Sequence, residues 1–279
     1  MTRSLLAVYA HPDDEVFGAG GTLARYAGQG ARVVLACATR GEVGEISDPS
    51  LATPDTLGEV RERELREAGK ALGIADIRFL GYRDSGMAGA PENDDPRCYY
   101  RADPDTAVRQ IVALMREIRP QVVITFEPFG GYGHPDHIAV SRYTTAAFDA
   151  AGDAARYPDL GSVWQPRRLF YSLIPNRFFR ELRERMEQLG LDTSHIRRPD
   201  EIPGRPPDEV ITTVMDVADF TAAKWAAANA HRTQFGPNSL FRQVPEAMIQ
   251  QMIAQEYFIQ ARPNDGSEPV TGDLFAGLE

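Results

Sequence analysis

Cysteine is nearly absent. Only Cys37 and Cys98 occur in 279 residues, too few for a disulfide framework, so a fold held by its own core in a reducing compartment is expected. No run approaches the roughly 18 apolar residues of a membrane-spanning helix. The opening SLLAVYAHPDDE has no basic segment ahead of a long apolar stretch, and Asp13, Asp14 and Glu15 interrupt it, which points to a cytoplasmic protein that does not use a membrane. Positive charge is not in excess either. Lys+Arg 30 against Asp+Glu 40 gives a formal net charge of −10, which argues against a sequence-independent grip on nucleic acid through counterion release, though not against a local basic pocket. There is no internal repeat and no low-complexity tract. What remains is ordinary globular composition, 43% apolar and 25% charged, and at this length one α/β domain can bury a large core.

The first 150 residues alternate strand and helix patterns. Leu5–Tyr9 is a short continuous apolar run, as in a strand covered on both faces. It breaks at His11-Pro12 and passes Gly18, Gly20 and Gly21 before a helical stretch predicted over Thr22–Gln29. Arg32–Ala38, Ile77–Leu80 and Gln121–Phe126 read as further strands. Helices are predicted over Leu57–Leu72, which Gly73 stops, over Asp105–Arg119, and from near His134. Two long loops, from Thr39 to about Thr56 and from Gly81 to Asp103, separate them. Such alternation implies a mainly parallel sheet with helices on both faces, which places ligands beyond the carboxyl ends of its strands. Farther on, Arg168–Ile174 and Val210–Met215 look like strands. Arg177–Leu189, Ala218–Gln234 and Pro245–Phe258 look helical, and RRPDEIPGRPPDE is an exposed connection.

Histidine is scarce, and three of the five lie in two short polar clusters, AHPDDE (Ala10–Glu15) and GHPDH (Gly133–His137). Each cluster follows a predicted strand. Across its Pro-containing turn, His11 and Asp14 can converge on one point. Pro135 suits the first turn of a helix, which puts His134 and His137 on one face. Two histidines and one carboxylate make a three-ligand site with an open position, the catalytic pattern for zinc. Such a site lowers the pKa of a bound water towards about 7. Of the neighbours Asp13 and Asp14, one can ligate while the other serves as a base. Either cluster alone reads equally well as a turn and cap, since Asp and Pro belong in such places. Two of them at strand ends of one sheet do not. FGAGG is not the GxGxxG of dinucleotide sites, so no nucleotide cofactor is expected. Cys37 reads as core and Cys98 as incidental. His195 reads as a surface residue, and His231 as one that packs or hydrogen-bonds at a helix end, with a secondary part in the site left open.

AHPDDE and GHPDH together resemble the LmbE-like (PIG-L) superfamily of zinc-dependent N-acetylglucosaminyl deacetylases, which includes deacetylases and amidases of mycothiol and bacillithiol metabolism. Arg61 in RERELREAGKALG, Asp84 in GYRDSGM, Tyr132 in GGYGHPDH and His231 in AHRTQ also match. The resemblance covers about residues 3–150 well and the rest thinly. It implies a Rossmann-like α/β layer with a smaller C-terminal part. His11, Asp14 and His137 become the metal ligands and Asp13 the general base. His134 stabilises the oxyanion or protonates the leaving amine, Asp136 orients an imidazole, and Tyr132 lies near the developing oxyanion. Arg61 and Asp84 hold sugar hydroxyls or attached groups.

The expected organisation is a catalytic core over residues 1–155 carrying both motifs. Residues 156–279 would pack on it and shape the substrate pocket. The expected function is metal-dependent removal of the N-acetyl group from an N-acetylglucosaminyl-type small molecule. Zinc is the expected metal, with iron(II) as the alternative, and self-association is left open. A non-haem iron oxygenase could use the same two-His-one-carboxylate set, but it needs no base at Asp13. An amidase acting on a thiol conjugate of an amino sugar, and a non-catalytic sugar- or metal-binding module, are the remaining alternatives.

Overall fold

The structure is a computed structural model that describes residues 2–278 except His195, Arg197, 237–238, 240–241 and 264–265. The expected surface position of His195 thus lies outside the described residues. In chain order the elements are β1 (Ser4–Tyr9), α1 (Asp14–Gly28), β2 (Arg32–Cys37), α2 (Leu57–Leu72), β3 (Asp76–Phe79), α3 (Pro104–Ile118) and β4 (Val122–Phe126). A single turn α4 (Gly130–Gly133), α5 (Pro135–Ala151), β5 (Arg168–Leu173), α6 (Asn176–Gln188), β6 (Thr213–Asp216), α7 (Thr221–Ala230), α8 (Glu246–Met252) and β7 (Gln255–Arg262) follow.

One seven-stranded sheet runs β3-β2-β1-β4-β5-β7-β6. Its first five strands pair in parallel, and β7 runs against both of its neighbours. All six residues of β1 and all five of β4 are buried, as continuous apolar runs in a sheet covered on both faces should be. From β1 the chain winds out to β2 and β3, then returns to β4 and β5 on the other side. With right-handed crossovers this reversal puts the two helix sets on opposite faces. α3 packs on α5, while α1, α2 and α7 pack together. The reversal also opens a crevice between the carboxyl ends of β1 and β4, the switch point where such sheets bind ligands. Among the described residues no helix is long and apolar enough to cross a membrane.

Two predicted elements differ from the structure. The helix expected from Thr22 already begins at Asp14, and it is interrupted at Ala19, whose backbone is not helical. The glycines that read as a loop serve close packing instead. A β-carbon on Gly18 would lie 2.6 Å from the Tyr9 hydroxyl, and one on Gly21 would lie 2.6 Å from the Val217 side chain. At the interruption the Glu256 carboxylate of β7 accepts from the Gly21 and Thr22 amides at 2.8 and 2.7 Å and holds Lys224 Nζ at 2.6 Å. A side chain more than two hundred positions away therefore starts the second half of α1. Likewise Pro245–Phe258 is not one helix. α8 stops at Met252, and Gln255–Arg262 becomes the strand between β5 and β6, because two strand partners outweigh the local pattern.

Because Glu256 and Lys224 are both buried, Glu256→Ala should leave the lysine and two amides unmatched and cost about 3–5 kcal/mol. Urea unfolding measures this, and an unchanged midpoint would mean that the pair contributes nothing net.

Candidate active site

The chain leaves β1 through Ala10-His11-Pro12 and enters α1 at Asp14. In between, Asp13 has φ 114° and ψ −25°. A residue with a β-carbon adopts such a backbone only when its surroundings impose it, at a cost of order 1–3 kcal/mol. On the other side of the crevice, Glu127 follows β4 and accepts from the Phe129 and Gly131 amides at 2.5 and 2.6 Å, shaping the glycine turn. His134 then caps α5. Its Nδ1 accepts from the Asp136 amide at 3.1 Å, and Pro135 occupies the first helical position.

Three side chains converge across the crevice. His11 Nδ1 lies 3.1 Å from His137 Nε2 and 3.6 Å from Asp14 Oδ2, and His137 Nε2 lies 3.3 Å from Asp14 Oδ1. Ligand bonds of about 2.0–2.2 Å in a tetrahedral array put neighbouring donors roughly 3.3–3.6 Å apart. The donor set therefore fits a divalent cation with one position left open. Both imidazoles are oriented from behind, as metal-ligating histidines are. Asp136 and Asp84 face His11 Nε2 at 3.3 and 3.4 Å, which leaves the Nδ1 lone pair for the centre. His137 directs Nδ1 at the Gly130 carbonyl at 3.2 Å and stacks on Phe126, which leaves Nε2. Asp14 accepts from the amides of Ala10 and His11.

Burial disfavours charge on His11, yet the Asp84, Asp136 and Asp14 carboxylates hold its pKa well above the usual range. Burial likewise opposes ionisation of Asp14, but the two imidazoles hold its carboxyl well below the usual range. A cation must therefore displace protons.

His134 has a ring nitrogen within 4.8 Å of those of His11 and His137, so a three-histidine centre needs testing. With Nδ1 accepting from Asp136, the proton resides on Nε2. A protonated nitrogen has no lone pair for a metal. Burial, then the neighbouring His11 and His137, push the His134 pKa down to about 3, so it stands beside the centre as a neutral donor.

Asp13 is largely buried next to the centre. Burial pushes its pKa up to about 6, against the pull of Arg61 and with the Asp14 charge adding to the rise. Arg61, on α2, donates to the Pro12 carbonyl at 2.6 Å and the Gly41 carbonyl at 3.0 Å, and lies 3.3 Å from Asp13 Oδ1. A cavity of about 420 Å³ opens over the centre, lined by Asp13, Asp14, His137, Tyr132 and a largely apolar wall including Leu173, Ile174, Phe179 and Ile202. Tyr132 is half exposed, its ring 5.0 Å from that of His137. Arg61 and Asp84, expected at sugar hydroxyls, are buried under Asp13 and behind His11, and neither lines this cavity.

Sequence reasoning missed several contributors. Glu15 accepts from the Asp13 amide at 2.9 Å and from His231 Nε2 at 2.7 Å. Glu64 holds Thr233 by its amide and its hydroxyl. Arg205 donates to the Gly131 carbonyl at 2.6 Å and to the Ile174 carbonyl at 2.8 Å. The only signal for them in the sequence is that Glu15 completes AHPDDE and that His231 and Thr233 lie in AHRTQ.

Fold and donor set together describe an α/β protein whose switch point carries three residues, His11, Asp14 and His137, that could hold a metal ion. The profile of the PIG-L family, described as GlcNAc-PI de-N-acetylase, matches residues 6–148, and the chain belongs to that family. Over 99% of its length it is 42% identical to 98% of the 1D-myo-inositol 2-acetamido-2-deoxy-α-D-glucopyranoside deacetylase of Geodermatophilus obscurus. Its fold is similar to that of the N,N'-diacetylchitobiose deacetylase of Pyrococcus horikoshii, with TM-score 0.65 and 20% identity, covering 92% of this chain and 83% of that one. It is also similar to that of a 4-carboxy-2-hydroxymuconate hydratase from Pseudomonas putida, with TM-score 0.64 and 20% identity, covering 96% and 100%.

Loading the metal-free protein with zinc should release protons, so the apparent affinity should weaken as pH falls. Calorimetry in buffers of different ionisation heat reads this directly. His11→Ala, Asp14→Ala and His137→Ala should each lower the bound metal. A fully loaded His137→Ala protein would remove it from the ligand set.

Proposed function

We propose that this chain is a zinc-dependent amide hydrolase that removes the acetyl group from an N-acetylglucosaminyl derivative. The convergence of His11 Nδ1, Asp14 and His137 Nε2 within 3.1–3.6 Å, with a second carboxylate beside them, carries the reading. Bound by those three donors, zinc supplies Lewis-acid polarisation of the amide carbonyl and acidifies water. The protein's own residues do the rest. Asp13 accepts one proton of the attacking water and returns it to the amine, so the amide C–N bond breaks, a C–O bond forms, and acetate and a free amine leave. His134 donates its Nε2 proton as a hydrogen bond to the oxyanion. Asp136 holds the His11 ring, and Arg61 holds the Asp13 carboxylate.

The substrate tested first should be the inositol glycoside that the Geodermatophilus relative is named for. The C-terminal residues build the wall of the pocket, and its apolar character favours a second substrate type, an amino sugar conjugated through a thiol to an apolar group. Acetate release across a panel of N-acetylglucosaminyl compounds, with zinc and iron measured on the same sample, tests substrate and metal together. Oxygen uptake without acetate release would point to the oxygenase chemistry instead.

Asp13 accepts a proton only when ionised, so the rate should fall as pH drops through about 6. Asp13→Asn should keep the metal and lose roughly 10²–10⁴ of the rate. Arg61→Leu removes the charge that favours the carboxylate, so the acidic limb should move to higher pH. A limb that stays in place in Arg61→Leu would assign it to another group.

His134→Ala should keep the metal and slow turnover by about 10²–10³, the usual cost of one preorganised donor. A wild-type rate would leave His134 as a helix cap only.

A further inference from the structure

The strained backbone at Asp13 requires something to impose it, and the molecule contains a candidate outside the metal centre. Glu15 and His231 are both fully buried. One Glu15 oxygen accepts from the Asp13 amide at 2.9 Å, and the other receives His231 Nε2 at 2.7 Å. His231 closes the C-terminus of α7, where its own amide donates to the Ala228 carbonyl. The residues after it are fixed independently. The Thr233 amide and hydroxyl donate to Glu64 of α2 at 2.9 and 2.6 Å, and the Thr233 carbonyl accepts from the Ser47 amide. Neither Glu15 nor His231 lines the cavity over the metal donors.

We infer that Glu15 and His231 are positioning residues. They form a buried two-step hydrogen-bond relay that clamps the Asp13 amide and so holds the Asp13 backbone in its left-handed conformation, with the carboxylate beside the metal donors. That Asp13 is the base rests on the proposed hydrolase; that it is held by this relay does not. An ion pair that only bolted α7 to α1 would need one carboxylate oxygen. Here the second oxygen goes to the residue whose backbone is out of its ordinary range. The relay also accounts for AHRTQ, in which His231 supplies the donor and Thr233 fixes the segment that presents it.

The test compares His231→Leu, which removes the donor at similar volume, with His231→Gln, which keeps a side-chain N–H for Glu15. Hydrogen exchange at the Asp13 amide should accelerate on the order of tenfold or more in His231→Leu, with or without metal, and stay near wild type in His231→Gln. On the zinc-loaded proteins, His231→Leu should lower kcat by roughly 10–100-fold with little change in KM or metal content, the penalty of a slightly misplaced group. His231→Gln should restore most of it. If His231→Leu does not fold, Glu15→Met, which keeps a side chain of similar length and removes both acceptor oxygens, carries the same measurements. Unchanged exchange at Asp13 in a folded His231→Leu protein overturns the inference, and so does an equal loss of kcat in the Leu and Gln variants. If the wild type releases no acetate from any compound, the hydrolase reading fails while the exchange result still decides the relay.

Discussion

The parallel pairing of β1 with β4 is the contact on which the site depends. Leu5, Leu6 and Ala7 face Val122, Val123 and Ile124 in register, with the chain segments for β2 and β3 wound out to the far side. The pairing brings His11 and His137, 126 residues apart, to within 3.1 Å. Because both strands are buried on both faces, a one-residue slip would turn every side chain of β4 towards the wrong helix layer. The sheet's packing energy thus fixes the separation of two imidazoles that have little intrinsic reason to approach. The carboxylates of Asp84 and Asp136 stand behind His11 and orient its ring towards the crevice.

One turn of chain also separates two adjacent carboxylates into different states. Asp14 accepts from two backbone amides and faces two imidazoles, so it remains ionised. Burial raises the pKa of Asp13 to about 6, with the Asp14 charge adding to the rise and the Arg61 guanidinium opposing it. Environments that push the pKa values of neighbouring groups apart in this way let two adjacent carboxylates differ in charge at one pH. The left-handed backbone of Asp13 accompanies this division, since it points successive side chains in different directions at the start of α1.

Features governed by local periodicity were legible in the sequence. β1, β2, α2 and β4 follow from apolar runs, helical spacing and Gly73, and the two His clusters mark strand ends. The misread features are non-local. The start of α1 is masked by Gly18, Gly20 and Gly21, whose purpose is visible only with Tyr9, Val217 and Glu256 in place. The strand character of Gln255–Arg262 depends on partners at Leu169–Leu173 and Thr213–Asp216. In the site, the two His- and Asp-containing clusters could be read, but not what stands behind them. That Arg61 reaches the Pro12 carbonyl, or that Glu15 meets His231 across 216 positions, has no period or motif to announce it.

The fold alone does not choose the reaction, since a hydratase shares it. In this chain the candidate metal donors lie just after β1 and in α1 and α5, while much of the cavity wall comes from residues after β5. Arg205 ties the two together. Its guanidinium stacks on Phe179 and donates to the carbonyls of Ile174 and Gly131, the latter beside Tyr132. Burial lowers its pKa, with Glu127 acting against the shift, yet three protein acceptors, Asn176 Oδ1 included, already occupy its fork. Such a residue is better suited to fixing the wall than to seizing an anionic substrate. Through Arg205 the wall at Ile174 and Phe179 is thus tied to the glycine turn that carries Tyr132 and leads to His134.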